Sequence, residues 1–186
     1  MQQFSDLSYE IFAIDDLYSD AEIKEFKDYV EYASDDNRTF TNSPFKNGKV
    51  IHEDFSNLMY SRIVKYLPEK YTDRKGVNWQ YLQAPKYIMY AKVQSGQQFG
   101  LHTDTGCEYD KEKNKYSKYT VLTYLNDDFD GGSTIFYDDN FHETCTVIPK
   151  INRTLIFDIN LFHRGAPVLE RAKYWIGTEL VCKLCD

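Results

Sequence analysis

Apolar and polar positions change rhythm about halfway along the chain. Early on, Ile23, Phe26, Val30 and Ala33 recur at helical spacing and predict an amphipathic helix over residues 20–33. Ser19-Asp20-Ala21-Glu22 in front of them reads as a capping box, in which the serine hydroxyl and the glutamate carboxylate each satisfy a free backbone N–H of the first turn. A second helix is predicted over residues 53–67, with Phe55, Leu58, Met59, Ile63 and Leu67 on one side and Pro68 to end it. His52, just ahead of that helix, reads as a cap or surface residue. Between the helices, residues 34–48 are polar and turn-rich and predict a loop.

From about residue 86 short apolar or aromatic runs alternate with turn signals. The runs cover residues 87–93, 98–102, 120–125, 133–137, 144–148, 154–158 and 174–181, and Asp130-Gly131-Gly132 and Asp138-Asp139-Asn140 punctuate them. Residues 109–117 are polar and charged and predict a mobile loop between two strands. The expected architecture is one domain over residues 1–186. Residues 1–85 form a helical buttress with loops, and residues 86–186 form a double-sheet β core. The fold class is mainly β with N-terminal helices.

Composition adds exclusions. The chain has 186 residues, 42% of them hydrophobic, enough for a sizeable core. A formal net charge of −7 and the lack of a Lys/Arg-rich block oppose nucleic-acid binding. No apolar run is long enough for an ordinary membrane span, and the first residues carry no signal-peptide pattern, so a cytoplasmic location without membrane attachment is expected. The Asn37 and Asn152 sequons then read as chance. Cys107, Cys145, Cys182 and Cys185 read as reduced thiols, since the Cys182–Cys185 pair has no second pair with which to build a zinc knuckle.

The candidate chemistry lies in His102-Thr103-Asp104, His163 and Lys173. Residues i and i+2 of a strand share a face, so His102 and Asp104 can approach one metal ion from a single strand end. His163 is the candidate third ligand, with His142 its rival. Two imidazoles and a carboxylate suit iron(II) and leave coordination positions open for a 2-oxo acid and dioxygen. Lys173, ten residues beyond His163, is suited to the far carboxylate of a dicarboxylate co-substrate, because a lysine on a half-buried strand face calls for an anionic partner.

Three segments carry a family resemblance. Tyr119–Tyr137 contains Tyr-Leu-Asn followed by Gly-Gly-Ser-Thr-Ile-Phe. Residues 155–174 contain Phe-His-Arg-Gly-Ala-Pro-Val and then Lys-Tyr. Residues 96–104 read Gly-Gln-Gln-Phe-Gly-Leu-His-Thr-Asp. In this order they resemble the prolyl 4-hydroxylase family of iron(II)/2-oxoglutarate-dependent dioxygenases, over about residues 86–182. The resemblance implies a double-stranded β-helix (jelly-roll) core, Fe(II), 2-oxoglutarate as co-substrate, O2, ascorbate as a candidate addition, and a proline-containing peptide or protein as substrate. It implies His102, Asp104 and His163 as catalytic metal ligands and Lys173 as the residue that binds the distal carboxylate. Tyr124 would offer its hydroxyl to the same carboxylate. The family usually places a tyrosine nine or ten residues before the first histidine; those positions are Val93 and Lys92 here, and Tyr90, twelve before, is a candidate in its place.

Three other readings stay open. The same mechanism can act on a free amino acid or small metabolite. A jelly-roll protein can bind without catalysing. A zinc hydrolase would need a general base near the metal, for which Asp158 is the available carboxylate beside Asp104.

Overall fold

The computed structural model describes residues 2–3, 11–35, 46–73, 75–104, 108–110 and 113–185. Asn37, Cys107 and residues 36–45 of the expected first loop lie outside the described residues. In chain order the elements are β1 (Gln2–Gln3), β2 (Ile11–Ile14), α1 (Asp20–Asp35), β3 (Lys46–Ile51), α2 (Glu53–Ile63), β4 (Lys70–Thr72), β5 (Asn78–Gln83), β6 (Tyr87–Gln94), β7 (Phe99–His102) and β8 (Glu108–Asp110). They continue with β9 (Lys115–Tyr124), β10 (Asp130–Gly131), β11 (Thr134–Tyr137), β12 (Glu143–Val147), β13 (Thr154–Asp158), β14 (Phe162–Gly165), β15 (Val168–Glu170) and β16 (Ala172–Leu184).

Both helices start where the sequence places them. Ser19 N–H donates to Glu22 Oε2 at 2.8 Å and Glu22 N–H to Ser19 Oγ at 3.3 Å, closing the capping box of α1. His52 caps α2, its Nδ1 accepting from the Phe55 N–H at 3.4 Å. A 3-10 turn over Val64–Tyr66 follows α2, short of Pro68.

The described strands form two facing sheets and a small ribbon. The large sheet runs β1-β2-β13-β9-β16-β5-β4, with β6 joining β16 to β3 and β8 pairing with β9. The smaller sheet runs β12-β11-β14-β7, and β10 pairs with β15. This is the double-stranded β-helix. Side chains alternate across the large sheet, so it buries both faces. On one face Tyr119, Val121, Ile156 and Ile176 pack against Phe26 and Val30 of α1 and Phe55 and Met59 of α2. On the other face Leu122, Tyr124, Leu155 and Phe157 meet Phe136 of the smaller sheet.

Two stretches differ from the sequence expectation. Residues before 86 supply strands as well as helices, because β2 pairs with β13, β3 with β6 and β5 with β16. Residues 109–117 are not simply a loop: Glu108 pairs with Tyr116 and Asp110 with Lys115, so charged residues here extend an edge hairpin. Asn152 is buried, with its amide donating to the Tyr18 carbonyl at 2.6 Å, which leaves its sequon structural. Cys145 and Cys182 are buried free thiols and Cys185 is half-buried. Among the described residues no helix is long and apolar enough to cross a membrane.

Candidate metal centre

β7 and β14 are neighbours in the smaller sheet, and His102 and His163 are direct cross-strand partners. Their rings therefore stand side by side on one face, with centroids 4.3 Å apart. Asp104 lies two residues past the end of β7. Its Oδ1 sits 3.5 Å from His102 Nε2 and 3.7 Å from His163 Nε2. Donors at right angles on one metal, with bonds of about 2.1 Å, would lie about 3 Å apart, so small side-chain shifts close the three around one ion. Among the described residues this is the single group of three His, Cys, Asp or Glu side chains gathered closely enough to hold a metal.

Each ligand candidate is held from behind. His102 Nδ1 donates to the Gly100 carbonyl at 2.7 Å and His163 Nδ1 to the Leu161 carbonyl at 2.9 Å. A carbonyl can only accept, so both Nδ1 atoms carry the proton and both Nε2 lone pairs are left for a metal. Thr120 on β9 donates to Asp104 Oδ2 at 2.5 Å, which turns Oδ1 toward the imidazoles. Burial opposes ionisation of Asp104, but the imidazoles of His102 and His163, which in their protonated forms meet it with a hydrogen bond and with charge, and the hydrogen bond from Thr120 outweigh burial and hold the carboxyl below its ordinary range. The hydrogen bond to Asp104 raises His102, while burial lowers His163. The donor set, its tautomers and its charge fit a divalent iron site.

The triad borders an open-mouthed cavity of about 80 Å³ lined by residues of both sheets. Lys173 reaches into it from β16 of the large sheet, which faces the sheet carrying the histidines. It is 4% exposed, and Nζ donates to the Gly132 carbonyl at 2.5 Å and lies 5.0 Å from the Tyr124 ring centroid. No carboxylate partners it among the described residues. Burial alone brings its pKa down to about 7. Thr134, beside it in the cavity wall, shares a 2.7 Å hydrogen bond with the buried Tyr124 hydroxyl.

Not every candidate reaches the cavity. Tyr124 lies behind the wall, its hydroxyl engaged with Thr134 and its ring against Lys173. Tyr90 points to the helical face of the large sheet, where its hydroxyl donates to the Ala33 carbonyl at 3.5 Å and its ring meets Tyr29. The physical reason is strand alternation: Met89 lines the cavity, so its neighbour Tyr90 turns away. His142 is an exposed loop residue 3.4 Å from Asp138, and Asp158 accepts from the Asn160 N–H and faces Lys118 at 3.6 Å, so neither joins the triad. Gly131, read from the sequence as part of a turn signal, pairs with Val168 of β15, while Gly132 donates its N–H to the Pro167 carbonyl and supplies the carbonyl that holds Lys173.

Sequence reasoning left out Thr120, Thr134 and the apolar walls Met89, Phe99, Leu122, Phe157 and Trp175. A usable signal existed for some of them. Trp175 is two residues from Lys173 on one strand and so shares its face, and Thr120 and Leu122 share the face of Tyr124.

Two facing sheets with a two-histidine, one-carboxylate cluster between them and a buried cation deeper in the cavity define the class of non-haem iron oxygenases that take a 2-oxo diacid. Residues 86–178, half of the chain, match the model of the 2OG-Fe(II) oxygenase superfamily, and the chain belongs to that family. It is therefore a dioxygenase whose family uses Fe(II), 2-oxoglutarate and O2. Solved structures of prolyl hydroxylases share its fold. A viral collagen prolyl hydroxylase from Paramecium Bursaria Chlorella virus-1, in a 2OG complex, has a TM-score of 0.62 at 15% identity over 96% of this chain and 98% of that one. A Pseudomonas putida prolyl-4-hydroxylase has a TM-score of 0.66 at 12% identity, covering 93% of this chain and 92% of that one. A prolyl hydroxylase from Trichoplax adhaerens, in complex with a hypoxia inducible factor peptide fragment, has a TM-score of 0.65 at 17% identity, covering 93% of this chain and 84% of that one. No curated protein matches the sequence.

Proposed function

We propose that this chain hydroxylates prolyl residues of a peptide or protein, with His102, Asp104 and His163 holding iron(II) and Lys173 holding the distal carboxylate of 2-oxoglutarate. The observation that carries the reading is Lys173: a lysine shut away from water, with no carboxylate partner among the described residues, in the cavity that the triad borders. A diacid spanning the two would neutralise the lysine and present its keto-acid end to the metal. The prolyl substrate is inferred from the prolyl hydroxylases that share the fold, one of them with a bound peptide.

Each residue has a physical task in this reading. The two imidazoles and Asp104 offer three donors on one side of the metal and leave the cavity side for the co-substrate and dioxygen. Lys173 fixes the far end of the diacid, and Thr134 places a hydroxyl beside it. Phe99, Leu122, Phe157 and Trp175 keep water from the reacting end. Bound iron supplies the oxidative decarboxylation of the keto acid and the oxidation of the substrate C–H bond. Ascorbate is expected to support turnover.

Anaerobic addition of iron(II) and then 2-oxoglutarate tests the site. A visible charge-transfer band should develop with the wild-type protein and be lost in His163→Ala. A wild-type protein that gives no band, or a His163→Ala protein that keeps it, removes this assignment.

A further inference from the structure

Strand β16 carries a second buried charge on the same face as Lys173, and it is negative. Alternation along the strand puts Lys173, Trp175, Gly177 and Glu179 on the cavity side, and the register irregularity falls only after Leu180. Glu179 is cross-strand partner to Thr120, the residue whose hydroxyl holds Asp104. Directly opposed residues place their Cβ atoms about 5 Å apart, so Glu179 stands one strand away from the metal's carboxylate. Six residues of strand, about 20 Å of backbone, separate it from Lys173. The two charges thus lie toward opposite ends of the face that the triad overlooks. If the diacid occupies the lysine end, the substrate has the glutamate end.

The surroundings of Glu179 fit a waiting partner. The residue is 5% exposed, yet its carboxylate accepts one hydrogen bond, from the Tyr87 hydroxyl to Oε2 at 2.7 Å. It forms no ion pair among the described residues. Among the described residues Oε1 accepts no hydrogen bond, and it is not sealed from solvent, so it is open to a further donor. Tyr87 is itself two residues from Met89 of the cavity wall, and Lys49 places its ammonium over the Tyr87 ring, 3.5 Å from the centroid. Its small exposed surface leaves room for few waters, and a cationic group that reached Oε1 would replace them with a charge-assisted contact beside the Tyr87 hydroxyl.

We propose that Glu179, steadied by Tyr87, is a subsite for a cationic group of the substrate, so that the enzyme selects peptides with a lysine or arginine beside the residue it hydroxylates. This rests on the peptide-hydroxylase reading above.

The test uses two proline-containing peptide sets, matched except that lysine or arginine beside the proline in one is norleucine or citrulline in the other. Turnover is read as a single added oxygen by mass spectrometry, with kcat and KM for the wild type, Glu179→Gln and Glu179→Lys. The wild type should favour the cationic set by at least about tenfold in kcat/KM, the scale of one charge-assisted hydrogen bond. Glu179→Gln should lose most of that preference through KM, and Glu179→Lys should shift it toward glutamate-flanked peptides. Equal turnover of both sets by the wild type, an undiminished preference in Glu179→Gln, or no turnover of either set by a protein that does decarboxylate 2-oxoglutarate overturns the proposal. A wild-type protein that never consumes 2-oxoglutarate instead fails the hydroxylase reading itself, and the subsite with it.

Discussion

A buried ammonium loses its hydration, and Lys173 recovers little of it from one carbonyl and the face of one tyrosine. Its pKa falls from 10.5 to about 7, so the ligand-free protein gives up this proton well before an unfolded chain would. The sign follows: folding disfavours the charged form, so this group makes the ligand-free protein more stable as pH rises from about 7 to 10.5. A bound carboxylate favours the charged form. Binding of 2-oxoglutarate should therefore take up a proton near and above pH 7, and its affinity should fall as pH rises further; calorimetry in buffers of different ionisation enthalpy reads both. Lys173→Ala should raise the KM for 2-oxoglutarate by about 10- to 100-fold, as expected for losing a hydrogen bond to a charged group. In the proposed site Thr120 would act one step further from the metal, through Asp104. Thr120→Val keeps the shape but frees Asp104 Oδ2, and iron(II) affinity should drop about tenfold or more while Thr120→Ser retains most of it, as measured by metal titration.

At the scale of elements, β16 organises the site. It pairs with β9 along one side and with β5 and β6 along the other, so its alternate residues are delivered rigidly to the cavity. The β10–β15 ribbon then sets the lysine's carbonyl. Gly131 has φ +78°, and a Cβ there would stand 2.2 Å from the Pro167 carbonyl oxygen, which is backbone and cannot swing aside. Gly131→Ala should cost about 1 to 3 kcal/mol in thermal or denaturant unfolding. Because the next residue's carbonyl holds Lys173, the same variant should also bind 2-oxoglutarate more weakly.

Over the whole molecule, the helices cover the face of the large sheet opposite the cavity. Phe26 of α1 is fully buried there, in edge contact with Tyr18 and Phe55. Phe26→Ala should destabilise the protein by about 3 to 5 kcal/mol, a sizeable part of a typical domain's stability, as read from the denaturant midpoint. The cavity itself contains no helix residue, so the variant that folds should keep its charge-transfer band.

Local periodicity made much of this legible before any tertiary contact was known. The capping box, both helices, the strands of the second half and the His-x-Asp pair depend on neighbours a few residues apart, and those relations survive in any fold that keeps the elements. His102, Asp104, His163 and Lys173 could be picked out because imidazole, carboxylate and ammonium have narrow chemical uses. Tertiary structure decided the rest. Which of two alternate residue sets on a strand faces the cavity depends on what packs against each face, and that sent Met89 inward and Tyr90 to the helices. The pairing of β14 with β7 set the two histidines side by side, and the facing of two sheets brought Lys173 over from the opposite wall. Strands β3 and β5 carry weak signals of their own and exist because β6 and β16 offer them open edges. Side-chain chemistry and short-range spacing are properties of the chain, whereas the choice of face and partner is a long-range packing equilibrium that no short window of residues contains.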